Sequence, residues 1–180
     1  MDKSIMPECY ADTLLIETLV PTKIGYNHQT GCFTVEREMK LGKLKDRFAV
    51  GIIDNDKVKI KYLQEFEVID KVEGSLILWK HRNKVKHHYI IQICPALEQW
   101  ILDVCEKERI NAGDFGIESD LSALKRRTKS NNSGNDKHLM ALFKEISSKN
   151  KNRNVEKLKS WITLLKEKHY QVDINQLKNG

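Results

Sequence analysis

The chain has 180 residues, of which 40% are hydrophobic and 31% are charged, and its formal net charge at pH 7 is +6. This length suits one ordinary hydrophobic core with an appendage, and the composition is typical of a globular protein. Apolar runs stay shorter than the roughly 18 residues needed to span a bilayer, which argues against an integral membrane protein. The basic balance is compatible with a nucleic-acid partner but does not require one.

The cysteines indicate a reducing compartment. No two of them have the Cys-x-x-Cys spacing of a zinc site, so free thiols are expected; they are Cys9, Cys32, Cys94 and Cys105. The N-terminus lacks the apolar core of a signal peptide, because charged residues interrupt it. We therefore expect a cytoplasmic protein without membrane contacts.

A short strand and a helix are predicted at the start of the chain. Ile5 and Met6 form the apolar segment of the candidate strand, and Asp12 or Thr13 is expected to cap the helix. Glu8 then lies at the carboxyl end of the strand, on the turn into the helix. The apolar face of the helix is formed by Leu15, Ile16, Leu19 and Val20.

Two further elements precede the most apolar stretch of the chain. Residues 21–26 form at best a short second strand, and a helix is predicted over about 33–45. Residues 48–53 are almost all apolar, which is typical of a strand buried on both faces of a parallel sheet. The resulting order, β-α-β-α-β, favours parallel pairing with right-handed crossovers.

Two acids follow this buried strand, namely Asp54 and Asp56. Ligands of open α/β sheets gather at the carboxyl ends of the strands, and oxygen ligands suit Mg²⁺ or Mn²⁺. If the first strand lies in the same parallel sheet, Glu8 reaches the same edge and three carboxylates can form a metal site. The alternative is that the acids only begin a loop or cap a helix.

The middle of the chain predicts a hairpin and a long helix. Residues 58–67 fit a helix or a strand, whereas residues 75–80 and 88–93 are predicted strands around a turn-like connector. Pro95 is suited to open a helix, because its missing N–H costs little in the first turn. The buried stripe of that helix is Leu97, Trp100, Ile101, Val104 and Cys105.

The hairpin connector is strongly basic. Its functional interpretation is contact with a nucleic-acid backbone, since cationic side chains displace counterions and neighbouring aromatic rings can stack on bases. The alternative is a charged hairpin tip that keeps a sheet edge soluble. The candidate nucleic-acid-binding residues are His81, Arg82, Lys84, Lys86 and His87.

The composition changes after residue 110. A loop over 111–116, a short helix over 120–129 and a linker-like tract over 130–136 precede two amphipathic helices. We therefore predict an α/β domain over residues 1–112 and a helical C-terminal extension over 113–180 that packs on it.

The acidic positions resemble those of the Toprim fold, which primases, topoisomerases and OLD-family nucleases share. The matching residues are Glu8 in Pro-Glu-Cys-Tyr-Ala-Asp-Thr and the two acids of Gly-Ile-Ile-Asp-Asn-Asp, Asp54 and Asp56. Residues 93–100 resemble a Pro-x-x-Glu-x-Trp element of small Toprim-like proteins associated with phage defence. The resemblance covers roughly residues 1–110, and Cys9 stands where family members usually have Gly.

The resemblance implies a mostly parallel Toprim-like sheet flanked by helices, and a catalytic Mg²⁺ or Mn²⁺ site formed by Glu8, Asp54 and Asp56. Glu98 is a further candidate metal ligand, although the helix dipole alone also favours an acid there. The implied function is metal-dependent hydrolysis or transfer of phosphodiesters in DNA or RNA. A separate ATPase chain or another protein is the implied partner, because no ATPase domain fits in this chain.

Two other functions stay open at this point. The first is a non-catalytic Toprim-like module that binds nucleic acid or a partner protein. The second is a different α/β enzyme, a phosphatase or a nucleotide-sugar transferase. The position of the two acids within the chain and the short chain length disfavour this second function.

Overall fold

The structure is a computed structural model that describes residues 2–55, 60–149 and 151–179. The predicted metal ligand Asp56 and the first residues of the ambiguous segment 58–67 lie outside these ranges. The described part of the chain is an α/β protein built on one five-stranded open sheet. Its strands are β1 (Ile5–Pro7), β2 (Ala49–Asp54), β3 (Phe66–Val72), β4 (Leu76–His81) and β5 (His88–Ile93).

The sheet is mixed, with the strand order β1-β2-β5-β4-β3. β2 pairs in parallel with both β1 and β5, whereas β4 pairs antiparallel with β5 and β3. The α/β class predicted from the sequence is therefore confirmed. The finer expectation of a mostly parallel Toprim-like sheet is not confirmed, since only half of the pairings are parallel.

β2 is the central element of the parallel half. Its residues Ala49–Ile53 are all buried, and they alternate between two separate clusters of the core. Val50 and Ile52 face one cluster, whereas Ala49 and Ile53 face the other. The prediction of a strand buried on both faces is confirmed.

Helices cover both faces of the sheet. In the larger cluster, one face of the sheet packs against side chains from four different helices, among them Leu15, Trp100, Phe143 and Trp161. The smaller cluster lies on the other face under α2. The helices are α1 (Tyr10–Leu19), α2 (Cys32–Lys40), α3 (Leu97–Glu108), α4 (Leu121–Thr128), α5 (Lys137–Ser148), α6 (Arg153–Lys168) and α7 (Ile174–Asn179).

The C-terminal helices share the larger cluster with the sheet. The Lys157 ammonium on α6 also contacts the Asp70 carboxylate on β3, at 2.9 Å. The Tyr170 hydroxyl accepts a hydrogen bond from the backbone N–H of Phe48, immediately before β2. The helices after residue 113 are thus built onto the same core as the sheet.

Three elements differ from the sequence-based expectations. The predicted helix over 33–45 ends at Lys40, and the segment 21–26 forms only one bridge, between Tyr26 and Asp2. Within residues 60–67, a 3₁₀ turn over Lys61–Glu65 leads into β3. β3 lacks a clean apolar alternation because it is an edge strand with a bulge between Val68 and Asp70.

Candidate functional site: a carboxylate rim at the strand ends

The parallel strands bring acids from distant parts of the sequence to one edge of the sheet. Glu8 directly follows β1, Asp54 ends β2, and Glu98 lies in the first turn of α3, the helix after β5. The Glu8 N–H donates a hydrogen bond to the Ile52 carbonyl at 3.0 Å, which continues the β1–β2 ladder. The side-chain oxygen Oε2 of Glu8 accepts a hydrogen bond from the Asp54 N–H at 3.1 Å. Glu8 and Asp54 therefore lie side by side.

Asp54 also connects the sheet to α3. Its Oδ1 accepts a hydrogen bond from the Leu97 N–H at 2.9 Å, at the first residue of that helix. A carboxylate in this position benefits from the partial positive charge of a helix N-terminus. Two hydrogen bonds thus fix the position of Asp54: its backbone N–H contacts the Glu8 side chain, and its own side chain contacts the backbone of α3.

Asp12 is a fourth acid at this edge, and the sequence reasoning missed it as a site residue. The helix cap was expected at Asp12 or Thr13, but both lie inside α1; Cys9 occupies the cap position, and its sulfur accepts a hydrogen bond from the Asp12 N–H at 3.3 Å. Asp12 lies inside α1 and is only 1% exposed. Within the described residues, neither of its carboxylate oxygens has the geometry of a hydrogen bond to any partner.

A signal for Asp12 was present in the sequence. Leu15, Ile16 and Leu19 follow it at spacings of three, four and seven residues, so the acid lies on the apolar stripe of the helix. An acid on a buried face needs compensation, because an unpaired charge is costly in an apolar environment. Its position on the apolar face makes Asp12 a candidate site residue rather than a helix cap.

Glu98 completes the group. It is 6% exposed, and its Oε1 accepts a hydrogen bond of 2.5 Å from the Thr128 hydroxyl at the end of α4. Burial is the main cause that raises the pKa of both Asp12 and Asp54, and the negative charge of Glu98 adds to it. We call Glu8, Asp12, Asp54 and Glu98 the carboxylate rim.

The rim is electrostatically unfavourable when all its acids are charged. Burial raises the pKa of Asp54 above its usual range, and the charges of Asp12, Glu8 and Glu98 raise it further. Burial also raises the pKa of Asp12 to about 7, although the neighbouring Cys9 thiol acts in the opposite direction. Within the described residues, no lysine or arginine forms an ion pair with Asp12, Asp54 or Glu98. Protons or a bound cation would relieve the repulsion among Asp12, Asp54 and Glu98.

The residues of the rim meet some of the requirements of a site for a hard cation such as Mg²⁺, but not all of them. Carboxylate oxygens are the ligands that Mg²⁺ and Mn²⁺ prefer, and the orphaned buried carboxylate of Asp12 is suited to one. Among the described residues, no group of three or more His, Cys, Asp or Glu side chains is already arranged to hold a metal ion. Asp56, the remaining predicted ligand, lies outside these residues.

The basic hairpin lies at the opposite end of the sheet from the rim. In the β2–β5 ladder, Ala49 pairs with His88 next to the hairpin, whereas Asp54 pairs with Ile93 next to the rim. Five residues of strand separate the two ends by roughly 17 Å at about 3.3 Å per residue. The structure does not bring the hairpin and the rim together.

The hairpin residues also differ in accessibility. Arg82 and Lys84 are exposed, and Lys86 and His87 are half-buried. His81 is buried, with ring nitrogens that contact the Glu65 carboxylate at 3.2 Å and the Asn83 N–H at 3.0 Å. His81 therefore has the contacts of a structural residue.

A small cavity opens beside the rim. Its volume is about 250 Å³. On one wall the rings of Tyr10 and His28 are stacked, with centroids 3.7 Å apart. Burial lowers the pKa of His28, and its Nε2 is a buried atom with no hydrogen-bond partner in the described part of the chain. The side chains lining the cavity include Glu8, Tyr10, His28, Thr128, Lys129 and Asn131.

The chain has no significant match to any protein-family model, curated protein or solved structure. Within residues 2–55, 60–149 and 151–179, no helix has the length and apolar character needed to cross a membrane. What this chain does is therefore inferred from the geometry of the carboxylate rim.

Proposed function

We propose that the carboxylate rim binds Mg²⁺ or Mn²⁺ and supports hydrolysis or transfer of phosphodiesters in nucleic acid, as the Toprim resemblance implies. The observation that carries this proposal is the Asp12 carboxylate, which is buried beside the acids Asp54 and Glu98 and whose pKa, within the described residues, only the neighbouring Cys9 lowers. Protonation or a bound cation removes this conflict, and the proposal is that a divalent cation takes the place of the proton.

The residues divide into ligands and positioning groups. Asp12, Asp54 and Glu8 would supply oxygen ligands together with Asp56, and Glu98 is a further candidate. A bound divalent cation neutralises phosphate oxygens and lowers the pKa of a coordinated water.

Hydrogen bonds to the rim hold the candidate ligands in place. The Leu97 N–H fixes one oxygen of Asp54, and the Thr128 hydroxyl orients Glu98. Through its contact with the Asp54 N–H, Glu8 keeps the ends of β1 and β2 together. Glu8 is also placed to act as a general acid or base, the role that the resemblance implies for some Toprim enzymes.

The experiment is a cleavage assay with labelled single-stranded and duplex DNA and RNA, in Mg²⁺, Mn²⁺ or EDTA. We expect metal-dependent cleavage by the wild type and at least a hundredfold loss in Asp54→Asn, which keeps the size and the oxygen acceptor of the side chain. Asp46→Asn, at an exposed acid away from the rim, is the matched control. Equal cleavage by wild type and Asp54→Asn, or cleavage unaffected by EDTA, contradicts the proposal.

A non-catalytic module is the second candidate function. It is favoured by the absence, among the described side chains, of a group of three already arranged to hold a metal ion. It predicts salt-sensitive binding of nucleic acid, or of a partner protein, that EDTA leaves unchanged, with no cleavage under any of the conditions above.

The cellular role follows from the same resemblance. We propose a cytoplasmic protein that acts in defence against phage, with a separate ATPase chain as the energy-coupling partner. Co-purification of such an ATPase with the tagged full chain from its native cells supports this role, and recovery of the chain alone argues against it.

A further inference from the structure

The end of α4 is anchored at the carboxylate rim. The Thr128 hydroxyl donates to Glu98, and the helix ends at this residue. Basic residues flank Thr128 in the sequence. Because the contact between Thr128 and Glu98 holds this end of α4 at the rim, the backbone of these basic residues is also held near the rim. Three of them, which we call the α4 basic face, are Lys125, Arg126 and Lys129.

The α4 basic face is available for a ligand. All three side chains are exposed, and none of them forms an ion pair within the described residues. Arg127, between them, is different: its guanidinium contacts Asp136 at 2.7 Å and belongs to the protein's own framework. Lys125 and Lys129 are four residues apart, so they lie on the same side of the helix.

Lys129 connects this face to the cavity beside the rim. It lines the cavity together with Glu8, Tyr10 and His28. The volume of about 250 Å³ is smaller than the roughly 300–1,000 Å³ of pockets for drug-sized ligands. The cavity is too small for a large cofactor and has room for only part of a nucleotide of a longer chain.

Tyr10 provides an aromatic surface at the same place. Tyr10 is 41% exposed, and one face of its ring stacks on His28 in a nearly parallel arrangement with the ring centroids 3.7 Å apart. The turn at Gly134 packs against it as well, since a Cβ there would lie 3.4 Å from the ring. A rigid, half-exposed ring beside a lysine is the arrangement on which unpaired bases stack.

We infer that the α4 basic face and Tyr10 bind a single strand of nucleic acid, whose backbone follows Lys125 and Lys129 and passes beside the carboxylate rim. This inference rests on the proposed function, because it assigns the substrate surface of the same site. The charges are complementary. Lys125 and Lys129 would attract the phosphates outside the rim, whereas the acids of the rim would repel these phosphates. The basic hairpin, at the other end of the sheet, is the alternative binding surface with which the α4 basic face is compared.

The test is fluorescence anisotropy with a labelled single-stranded DNA 20-mer in EDTA, at salt concentrations from 50 to 200 mM. We expect the double variant Lys125→Glu/Lys129→Glu to raise Kd at least tenfold. Loss of two backbone contacts should also reduce the slope of log K against log salt by about 1.4, or about 0.7 per contact on a single strand.

The control carries the same charge change at the other end of the sheet. Lys43→Glu/Lys45→Glu reverses two exposed cations just before β2 and should alter Kd less than twofold. Arg82→Glu/Lys84→Glu tests the hairpin as the rival basic surface. Loss of affinity in this hairpin variant with none in the α4 variant overturns the inference, as does an absence of binding by the wild type. If the reversed α4 variant fails to fold, Lys125→Gln/Lys129→Gln provides the same comparison and should raise Kd about fivefold.

Stacking is tested separately at Tyr10. Tyr10→Ala should raise Kd about tenfold, whereas Tyr10→Phe keeps the ring and should bind like the wild type. A duplex of the same sequence should bind more weakly than the single strand, and tighter duplex binding overturns the single-strand assignment. Because EDTA removes divalent cations, failure here leaves the metal proposal standing, and failure of metal binding leaves this result unaffected.

Discussion

The side-chain oxygen Oε2 of Glu8 accepts a hydrogen bond from the backbone N–H of Asp54 at 3.1 Å, across 46 positions of sequence. This contact joins the carboxyl ends of two neighbouring parallel strands. Acids on such strands share one edge of the sheet, and here that edge also contains Asp12 and Glu98. The close approach of these acids is the structural basis of the proposed function.

The metal-free protein should be destabilised by Asp12 at alkaline pH. Folding raises the pKa of Asp12 to about 7, above its unfolded value near 4. A raised carboxyl pKa means that the folded state binds the proton more tightly, so this contribution to stability is full below pH 4 and is lost as the pH rises through 7. In EDTA, Asp12→Asn should therefore increase the melting temperature by several degrees at pH 8 and by much less at pH 5.

Differential scanning fluorimetry of wild type and variant measures this difference, at about 2–4 °C for each kcal/mol in a chain of this size. Asp46→Asn, at an exposed acid away from the rim, serves as the control for the loss of a carboxylate. An Asp12→Asn variant that is less stable than the wild type at pH 8 would show that the charged carboxylate has a stabilising partner.

Thr128 should be required for the stability of the α4–rim contact. Its hydroxyl donates to Glu98 at 2.5 Å in a buried environment, so Thr128→Val leaves a buried carboxylate without that donor. We expect a loss of about 1–3 kcal/mol, measured by urea unfolding. Thr128→Ser keeps the hydroxyl and should lose less than half as much. A larger loss in Thr128→Ser than in Thr128→Val would indicate that packing of the methyl group, rather than the hydrogen bond, is what matters.

His88 should make the protein sensitive to mild acid. It is fully buried, with Nε2 donating to the Leu44 carbonyl at 2.9 Å and Nδ1 accepting from the Tyr62 hydroxyl at 2.7 Å. Burial lowers the pKa of His88, and the nearby cation of Lys86 and the ring of His81 lower it further, whereas its backbone contacts raise it. The unfolded chain therefore binds the proton first, and stability should fall as the pH drops below about 6.5.

The measurement is the melting temperature in EDTA between pH 7.5 and pH 5.5. The buried His88→Gln variant should lose less stability over this interval than the wild type, even if it is less stable at pH 7.5. His138→Gln, at an exposed position, is the control for the loss of a histidine. An unchanged slope in His88→Gln would assign the acid sensitivity to other groups.

The sequence was most informative where the pattern was local and strong. The apolar run before Asp54 predicted a strand buried on both faces, and parallel strands necessarily bring Glu8 to the same edge. The hairpin of β4 and β5 was equally predictable from the sequence, since its two apolar strands flank a short basic turn.

The remainder depended on tertiary pairing that no local pattern encodes. β3 is an edge strand whose polar residues hide its period, and its pairing with β4 makes the sheet mixed. Asp12 was a candidate cap beside Thr13 because Asp is common there; the spacing of the apolar residues after it favours the buried face, and packing shows that it is only 1% exposed. The distance between the basic hairpin and the rim likewise follows from strand direction, which composition does not reveal.

The central claim is that the carboxylate rim binds a divalent cation, and Mn²⁺ binding followed by electron paramagnetic resonance tests it most directly. Bound Mn²⁺ loses the sharp signal of the free aqueous ion, so a titration at pH 8 gives both affinity and stoichiometry. We predict saturable binding by the wild type and by Asp46→Asn, weakened at least tenfold in Asp12→Asn and in Asp54→Asn. Equal Mn²⁺ binding by all four proteins, or no binding by any of them, would contradict this account.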